Sequence, residues 1–180
     1  MSNFEEFPKT ARLNRECVIT EKIDGTNGQI IIDDSGEIAA GSRSRLITPD
    51  DDNYGFAAWV HHNKADLLTL GPGRHFGEWW GSGIQRGYGL LKGDKRFSLF
   101  NTSRWSDAFA RPKCCDVVPV LYRGLFTTDA VKEALADLRE RGSVASPGFM
   151  KPEGVIIWHI AAHVGFKVTL ERDDEWKGKS

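Results

Sequence analysis

Seven residues, Glu21-Lys22-Ile23-Asp24-Gly25-Thr26-Asn27, constrain this chain more than any other stretch. They separate two strand-like runs, Cys17 to Thr20 and Gln29 to Ile32, and Gly25 and Asn27 both tolerate the backbone of a tight turn. The pattern therefore predicts a polar turn that presents the Lys22 ammonium at the end of a strand. A lysine with a reference pKa of about 10.4 is uncharged in only about one molecule in a few thousand at neutral pH. A reactive role requires desolvation or a second cation nearby, and Asp24 is suited to positioning a metal ion or a phosphate beside it. Taken alone, a Lys-x-Asp-Gly tetrapeptide is most often a solvated turn, so the rest of the chain has to decide.

At 180 residues the chain is most simply one domain, long enough to bury about 70% of its unfolded surface. No apolar run approaches the roughly 18 residues of a membrane span, so no membrane partner is expected. The acidic start, Met1 to Glu6, lacks the basic and apolar regions of a signal peptide, which predicts a cytoplasmic location. Three cysteines, with Cys114 and Cys115 adjacent, fit neither a disulfide framework nor a Cys-x-x-Cys metal spacing and read as reduced structural thiols. The net charge of −1 points to no nucleic acid, yet Arg74 to Lys113 holds eight basic residues against three acidic ones. That stretch is either a solvated basic face or a surface that tracks phosphates.

Along the chain, Gln29 to Ile32 runs into the turn Asp33-Asp34-Ser35-Gly36 and returns as Glu37 to Ala40. Arg43 and Arg45 follow at the end of that returning strand, within reach of the Lys22 turn. Asp50 to Asn53 offers caps to a helix over Tyr54 to Leu68, whose adjacent His61 and His62 point apart and read as surface residues. Arg74 to Gln85 begins as a strand, carries Glu78 among aromatic residues and ends in a glycine-punctuated loop. Arg96 to Phe100 and Val117 to Tyr122 read as strands, Thr127-Thr128-Asp129 as caps to a helix with the apolar face Val131, Ala134, Leu135 and Leu138 that Gly142 stops, and Gly154 to His159 and Gly165 to Leu170 as the last strands. The charged end from Glu171 to Ser180 is expected to fray.

The ordered set Glu-Lys-Ile-Asp-Gly-Thr-Asn, Ser-Arg-Ser, Gly-Glu-Trp-Trp-Gly-Ser-Gly-Ile-Gln, Phe-Ser-Leu-Phe, Glu-Gly-Val-Ile-Ile and Phe-Lys-Val resembles the covalent nucleotidyltransferase superfamily. Within it, the set is most similar to ATP-dependent RNA ligases of the nick-sealing type found in phages and in kinetoplastid RNA editing. The Asn27 ending and the Gly-x-Gly-Ile-Gln after Glu78 favour RNA ligases over DNA ligases and capping enzymes. The resemblance implies an α+β nucleotidyltransferase domain, an ATP-grasp-like ligase adenylation fold with antiparallel sheets around a nucleotide cleft and helices outside. Lys22 would attack the α-phosphate of ATP and carry AMP. Glu21, through its backbone, and Ile23 would lie at the nucleotide, Asn27 and Arg43 would contact phosphate or ribose, Glu78 would hold ribose hydroxyls and Phe100 would stack on adenine. Glu153, with Asp24, would hold Mg²⁺ or Mn²⁺, and Lys167 would contact the α-phosphate.

The function so implied is ATP-dependent joining of RNA ends, with DNA or hybrid ends, a capping reaction, or nucleic-acid binding without sealing as alternatives. Thr169 stands where the family usually has a second lysine, a contact that Lys177 or Lys179 would have to supply. Family members usually carry an additional C-terminal domain that grips nucleic acid. The expectation here is a single adenylyltransferase domain over 1–180 without a separate C-terminal one, its grip supplied by its own basic surface or by a partner chain.

Overall fold

The computed structural model describes residues 6–171. The two strand runs become β1 (Glu16–Lys22) and β2 (Thr26–Ile32), and the Lys22 turn between them carries the chain from one sheet into another. β2 returns through the Asp33 turn as β3 (Ile38–Gly41), where the Asp33 carboxylate accepts from the Ser35 and Glu37 N–H groups at 2.9 Å each. With β4 (Leu46–Ile47), β5 (Gly73–Gly81), β6 (Lys95–Leu99) and β7 (Cys115–Val117) these strands form a six-stranded sheet in the order β4-β3-β2-β5-β6-β7. Only β6 and β7 pair in parallel; every other pairing is antiparallel. The second sheet, β10-β9-β1-β8, is wholly antiparallel and contains β8 (Val120–Leu125), β9 (Gly154–His159) and β10 (Val164–Thr169).

The strand expected over Val117 to Tyr122 is therefore two strands in different sheets. Pro119 lacks an N–H for a ladder, and the break falls around it: Val118 N–H donates to Leu99 on the six-stranded side, and the Pro119 carbonyl accepts from Glu21 N–H on the other. The helix expected over Tyr54 to Leu68 is likewise divided into α1 (Phe56–His62) and α2 (Lys64–Leu67), followed by one tight turn. At the division the Asn63 side chain donates to the Trp59 carbonyl, competing for the acceptor that the Asn63 N–H also uses. Asp52 caps α1 from outside, accepting from the N–H groups of Ala57 and Ala58 at 2.7 and 3.0 Å. Beyond α3 (Thr102–Trp105), the long helix α4 (Thr128–Arg141) starts at Thr127, whose hydroxyl accepts from Ala130 N–H, and stops at Gly142 with φ 81°.

Strand alternation sorts the side chains into cores. One face of the six-stranded sheet, with Ile30, Ile32, Trp79, Phe97 and Leu99, packs under Phe56, Ala57 and Val60 of α1. Gly28 and Gly77 pair across β2 and β5, and a Cβ at either would come within 2.7 Å of a Phe56 or Phe97 ring, so the aromatic packing needs both glycines. The four-stranded sheet buries Cys17, Ile19, Val155 and Ile157 against Ala130, Ala134, Leu135 and Leu138 of α4. A third cluster, Ile23, Trp80, Tyr88 and Val118, lies under the Lys22 turn. Among the described residues no helix is long and apolar enough to cross a membrane. Met1 to Glu5 and the charged end after Glu171 lie outside the described residues.

Candidate active site

Lys22 is the last residue of β1 and sits opposite Gly154, the first residue of β9. That register places Glu153 beside it, with Oε2 2.5 Å from Lys22 Nζ and both side chains about one-fifth exposed. The Glu153 carbonyl in turn accepts from Leu170 N–H, which ties the entry of β9 to the exit of β10. Lys167 pairs with Ile156, which pairs with Thr20, so Lys167, Thr20 and Lys22 all project from one face of this sheet. Thr169 shares that face in the row of Gly154 and Lys22, and its hydroxyl donates to the Glu171 carbonyl at 2.7 Å. Lys177 and Lys179 lie outside the described residues.

The turn itself is held from below. A Cβ at Gly25 would lie 2.4 Å from the Trp79 carbonyl, so only glycine lets the turn come down onto β5. Glu78 receives it there: Oε1 accepts from Gly25 N–H at 3.0 Å and Oε2 from Asn27 Nδ2 at 3.1 Å. Burial pushes the Glu78 carboxyl up to about 7, against the opposing pull of Lys22 and of the Gly25 N–H; Glu153 and Asp24 add to the rise. The Tyr88 hydroxyl accepts from Asp24 N–H at 3.0 Å and donates to the Lys22 carbonyl at 3.4 Å, and burial raises its pKa well above the ordinary phenol value. Tyr88 holds a left-handed backbone, φ 52°, to place that hydroxyl. Sequence reasoning missed Tyr88, because a lone tyrosine in a glycine-rich loop carries no periodic signal.

Two residues expected at the ligand have other side-chain contacts in the structure. The Ile23 side chain is buried against Trp80, Tyr88 and Val118, so it supports the turn from within and presents no side-chain surface to a nucleotide. The Asp24 carboxylate is engaged by Arg86 Nε at 3.0 Å, and Arg86 also donates to the Lys151 carbonyl and to Glu171. Of the two carboxylates considered for a metal ion, Glu153 is therefore the one against Lys22. The Glu21 carboxylate is buried and accepts from Ser143 Oγ at 2.6 Å and from the N–H groups of Val144 and Ala145, so its side chain fixes the loop after α4.

On the other side of Glu78, a cavity of about 270 Å³ opens between Asn27, Gln29, Arg43, Phe76 and Phe100. Asn27 lines it while bonded to Glu78, which links the cavity to the Lys22 turn. Phe97 is fully buried, whereas Phe100 is 41% exposed and lines the cavity, as strand alternation predicts for residues three apart. Phe76, two residues before Glu78 on the same face of β5, stands beside Phe100, whose N–H it accepts. It too was missed, although its period-two spacing from Glu78 was there to be read.

Most arginines of the basic stretch, read from the sequence as either a solvated face or a phosphate-tracking surface, have local partners. Arg86 is paired with Asp24 and Glu171, Arg96 with Asp94, Arg104 donates to the Leu70 carbonyl and lies over the Trp105 ring, and Arg111 donates to the carbonyls of Trp105 and Cys115. Of these arginines Arg74 is the one that lines the groove beside the cavity, while Arg96 projects from the same face of the sheet in the row of Trp80.

The profile of the RNA ligase family matches residues 15–169, and the chain belongs to that family. No curated protein sequence gives a significant match. Among solved structures, the fold is similar to that of Naegleria gruberi RNA ligase: a variant with ATP and Mn superposes with TM-score 0.67 at 20% identity over 88% of this chain and 51% of that one. A second variant of that ligase, with AMP and Mn, gives TM-score 0.66 at 21% identity over 87% and 50%. The chain thus spans about half the length of the ligase chains it matches. The α+β architecture with its antiparallel sheets is that of an RNA ligase nucleotidyltransferase fold.

Proposed function

We propose that the chain is the nucleotidyl-transfer unit of an ATP-dependent RNA ligase that works through a covalent lysyl-AMP. The observation that carries this reading is the contact of Lys22 with Glu153, at the head of a cleft, in a member of the RNA ligase family. Lys22 Nζ, once it has given up a proton, attacks the α-phosphorus of ATP; an N–P bond forms as the P–O bond to the pyrophosphate breaks. An oxygen of a 5′-phosphate end then takes the AMP from Lys22. A 3′-hydroxyl attacks the activated phosphate, forming the phosphodiester and releasing AMP.

Phosphoryl transfer depends mostly on positioning and on neutralising charge, and the residues divide along those lines. Glu78 from β5, and Arg86 and Tyr88 from the loop that follows it, fix the turn that carries Lys22. An ionised Glu78 has lone pairs left after its two bonds to the turn, enough to accept from ribose hydroxyls as well. Phe100, with Phe76 beside it, offers the ring surface for adenine, Arg43 and Asn27 offer the polar contacts, and Lys167 offers the second cation at the phosphates. Magnesium keeps several waters and is held by one or two carboxylates plus substrate phosphates, so it needs no protein cage. Glu153 fits that demand, and among the described residues no three His, Cys, Asp or Glu side chains are grouped into one. Bound there, Mg²⁺ or Mn²⁺ would supply charge neutralisation on the phosphates.

The reading is tested by following label from ATP carrying radioactive α-phosphate, first onto the protein and then onto 5′-phosphorylated RNA in a nicked duplex, with DNA ends and GTP in parallel. Label that passes from protein to RNA and ends in a joined strand supports it. Use of GTP in place of ATP would point to the capping-type reading, and a preference for DNA ends to the DNA ligase. Adenylation without joining on any end would assign the grip on nucleic acid to a partner chain or a further domain.

A further inference from the structure

The face of the six-stranded sheet that carries the candidate site continues outward in rows set by strand register. Asn27 pairs with Glu78 in the row nearest Lys22, Gly41, Gln29 and Phe76 form the next, and Ala39, Ile31 and Arg74 form the third. Around that third row lies a concavity of about 420 Å³ whose rim brings together Arg43, Arg45 and Arg74. These arginines come from the loop after β3 and from β5, so no sequence window contains them all.

Their charge is not cancelled. Arg74 is oriented by a neutral group, donating to Gln29 Oε1 at 3.0 Å, and among the described residues no carboxylate is bonded to Arg74 or Arg43. Arg45 alone is paired, with Asp51. Three guanidinium groups against one carboxylate, above the apolar floor of Ile31 and Ala39, suit a ligand with repeated anionic groups and apolar faces between them. Gln29 and Arg43 line both this groove and the cavity at Phe100, which makes the two continuous. From Asn27 to Ile31 is four residues of strand, roughly 13 Å. That distance corresponds to about four stacked nucleotides at 3.4 Å each.

We propose that this groove binds the phosphates of the polynucleotide strand bearing the 5′-phosphate, with its terminal phosphate towards Arg43 and the following ones on Arg74 and Arg45. The proposal rests on the ligase reading above and gives that site its polynucleotide track. It replaces the continuous basic stretch from Arg74 to Lys113, most of whose arginines are used locally.

The test is the salt dependence of binding of a 5′-phosphorylated, 3′-fluorescent single-stranded oligoribonucleotide to the full chain, by anisotropy, with Lys22 adenylation measured on the same samples. Each phosphate contact to a single strand contributes about 0.7 to the slope of log affinity against log salt. Arg74→Ala should lower that slope by about 0.7, so that its deficit against the parent protein shrinks by about 2.6-fold between roughly 50 and 200 mM salt. Arg74→Lys should keep the slope, Lys92→Ala should leave it unchanged, and all three should still adenylate Lys22. An unchanged slope and affinity in Arg74→Ala would overturn the proposal, as would salt-insensitive binding by the parent protein or loss of adenylation in Arg74→Ala. Absence of adenylation in the parent protein would instead remove the ligase reading, leaving the binding data to decide the groove on their own.

Discussion

Glu78→Gln separates the cost of burying a carboxylate from the bonds that carboxylate makes. In the folded protein burial holds this carboxyl at about 7, against an ordinary value of 4.5. Because the folded value is the higher one, the fold favours the protonated form. Stability is therefore greatest below about pH 4.5 as far as this group is concerned, and declines as pH rises through the window to about 7. At about 1.36 kcal/mol for each pH unit, the full decline is about 3 kcal/mol. Glutamine cannot ionise, yet its oxygen still accepts from Gly25 N–H, and the Asn27 amide can turn to meet its NH₂. The variant should match the parent protein at pH 4.5 and exceed it at pH 8.5 by up to about 3 kcal/mol, or roughly 6–12 °C in Tm for a chain of this size. Melting curves of both proteins from pH 4.5 to 8.5 give the result, and taking the difference at each pH cancels every other titrating group. A difference that stays flat with pH, or a variant less stable at pH 8.5, would refute the assignment of a buried, proton-retaining Glu78.

Two further substitutions test the placement of the rings and of the hydroxyl under the turn. Phe97→Ala removes a fully buried ring that lies tilted against Phe56, centroids 5.0 Å apart, and should cost about 3–5 kcal/mol of stability, seen as a large fall in Tm. Phe100→Ala should leave Tm nearly unchanged and weaken ATP use by about 1–3 kcal/mol, the worth of one stacking ring on a base; the opposite pattern would exchange their roles. Tyr88→Phe leaves the Asp24 N–H without its acceptor, costing about 1–3 kcal/mol. It should slow adenylation at saturating ATP more than it raises KM, whereas equal rates would show that the turn holds its own shape.

What the sequence made legible was local. The Lys22 turn, the Asp33 hairpin, the Thr127 cap and the Gly142 stop are each written in a few consecutive residues: the Asp33 and Thr127 side chains bond nearby backbone, and glycine stands at 25 and at 142. The opposite fates of Phe97 and Phe100 follow from strand alternation alone. The features that escaped are set by distant partners. Pro119 marks a change of sheet only once β6 and β1 are both in place, and Asp24 is an ion pair rather than a free carboxylate only because Arg86, far along the chain, folds back onto it. The partners of the basic stretch were hidden for the same reason: Arg86 reaches Asp24 and Arg104 reaches the Leu70 carbonyl, both far along the chain. Arg43, Arg45 and Arg74, by contrast, converge through pairing of β2 with β3 and β5.

The central claim is that Lys22 is the nucleophile. Intact-mass spectrometry of the protein incubated with ATP and Mg²⁺ should show an increase of one AMP, absent with GTP, and peptide mapping should place it on Lys22. Lys22→Ala, which removes the amine and leaves Glu153 without its partner, should show no adduct at all. An adduct of equal yield on Lys22→Ala, or its appearance on another lysine of the parent protein, would contradict the account.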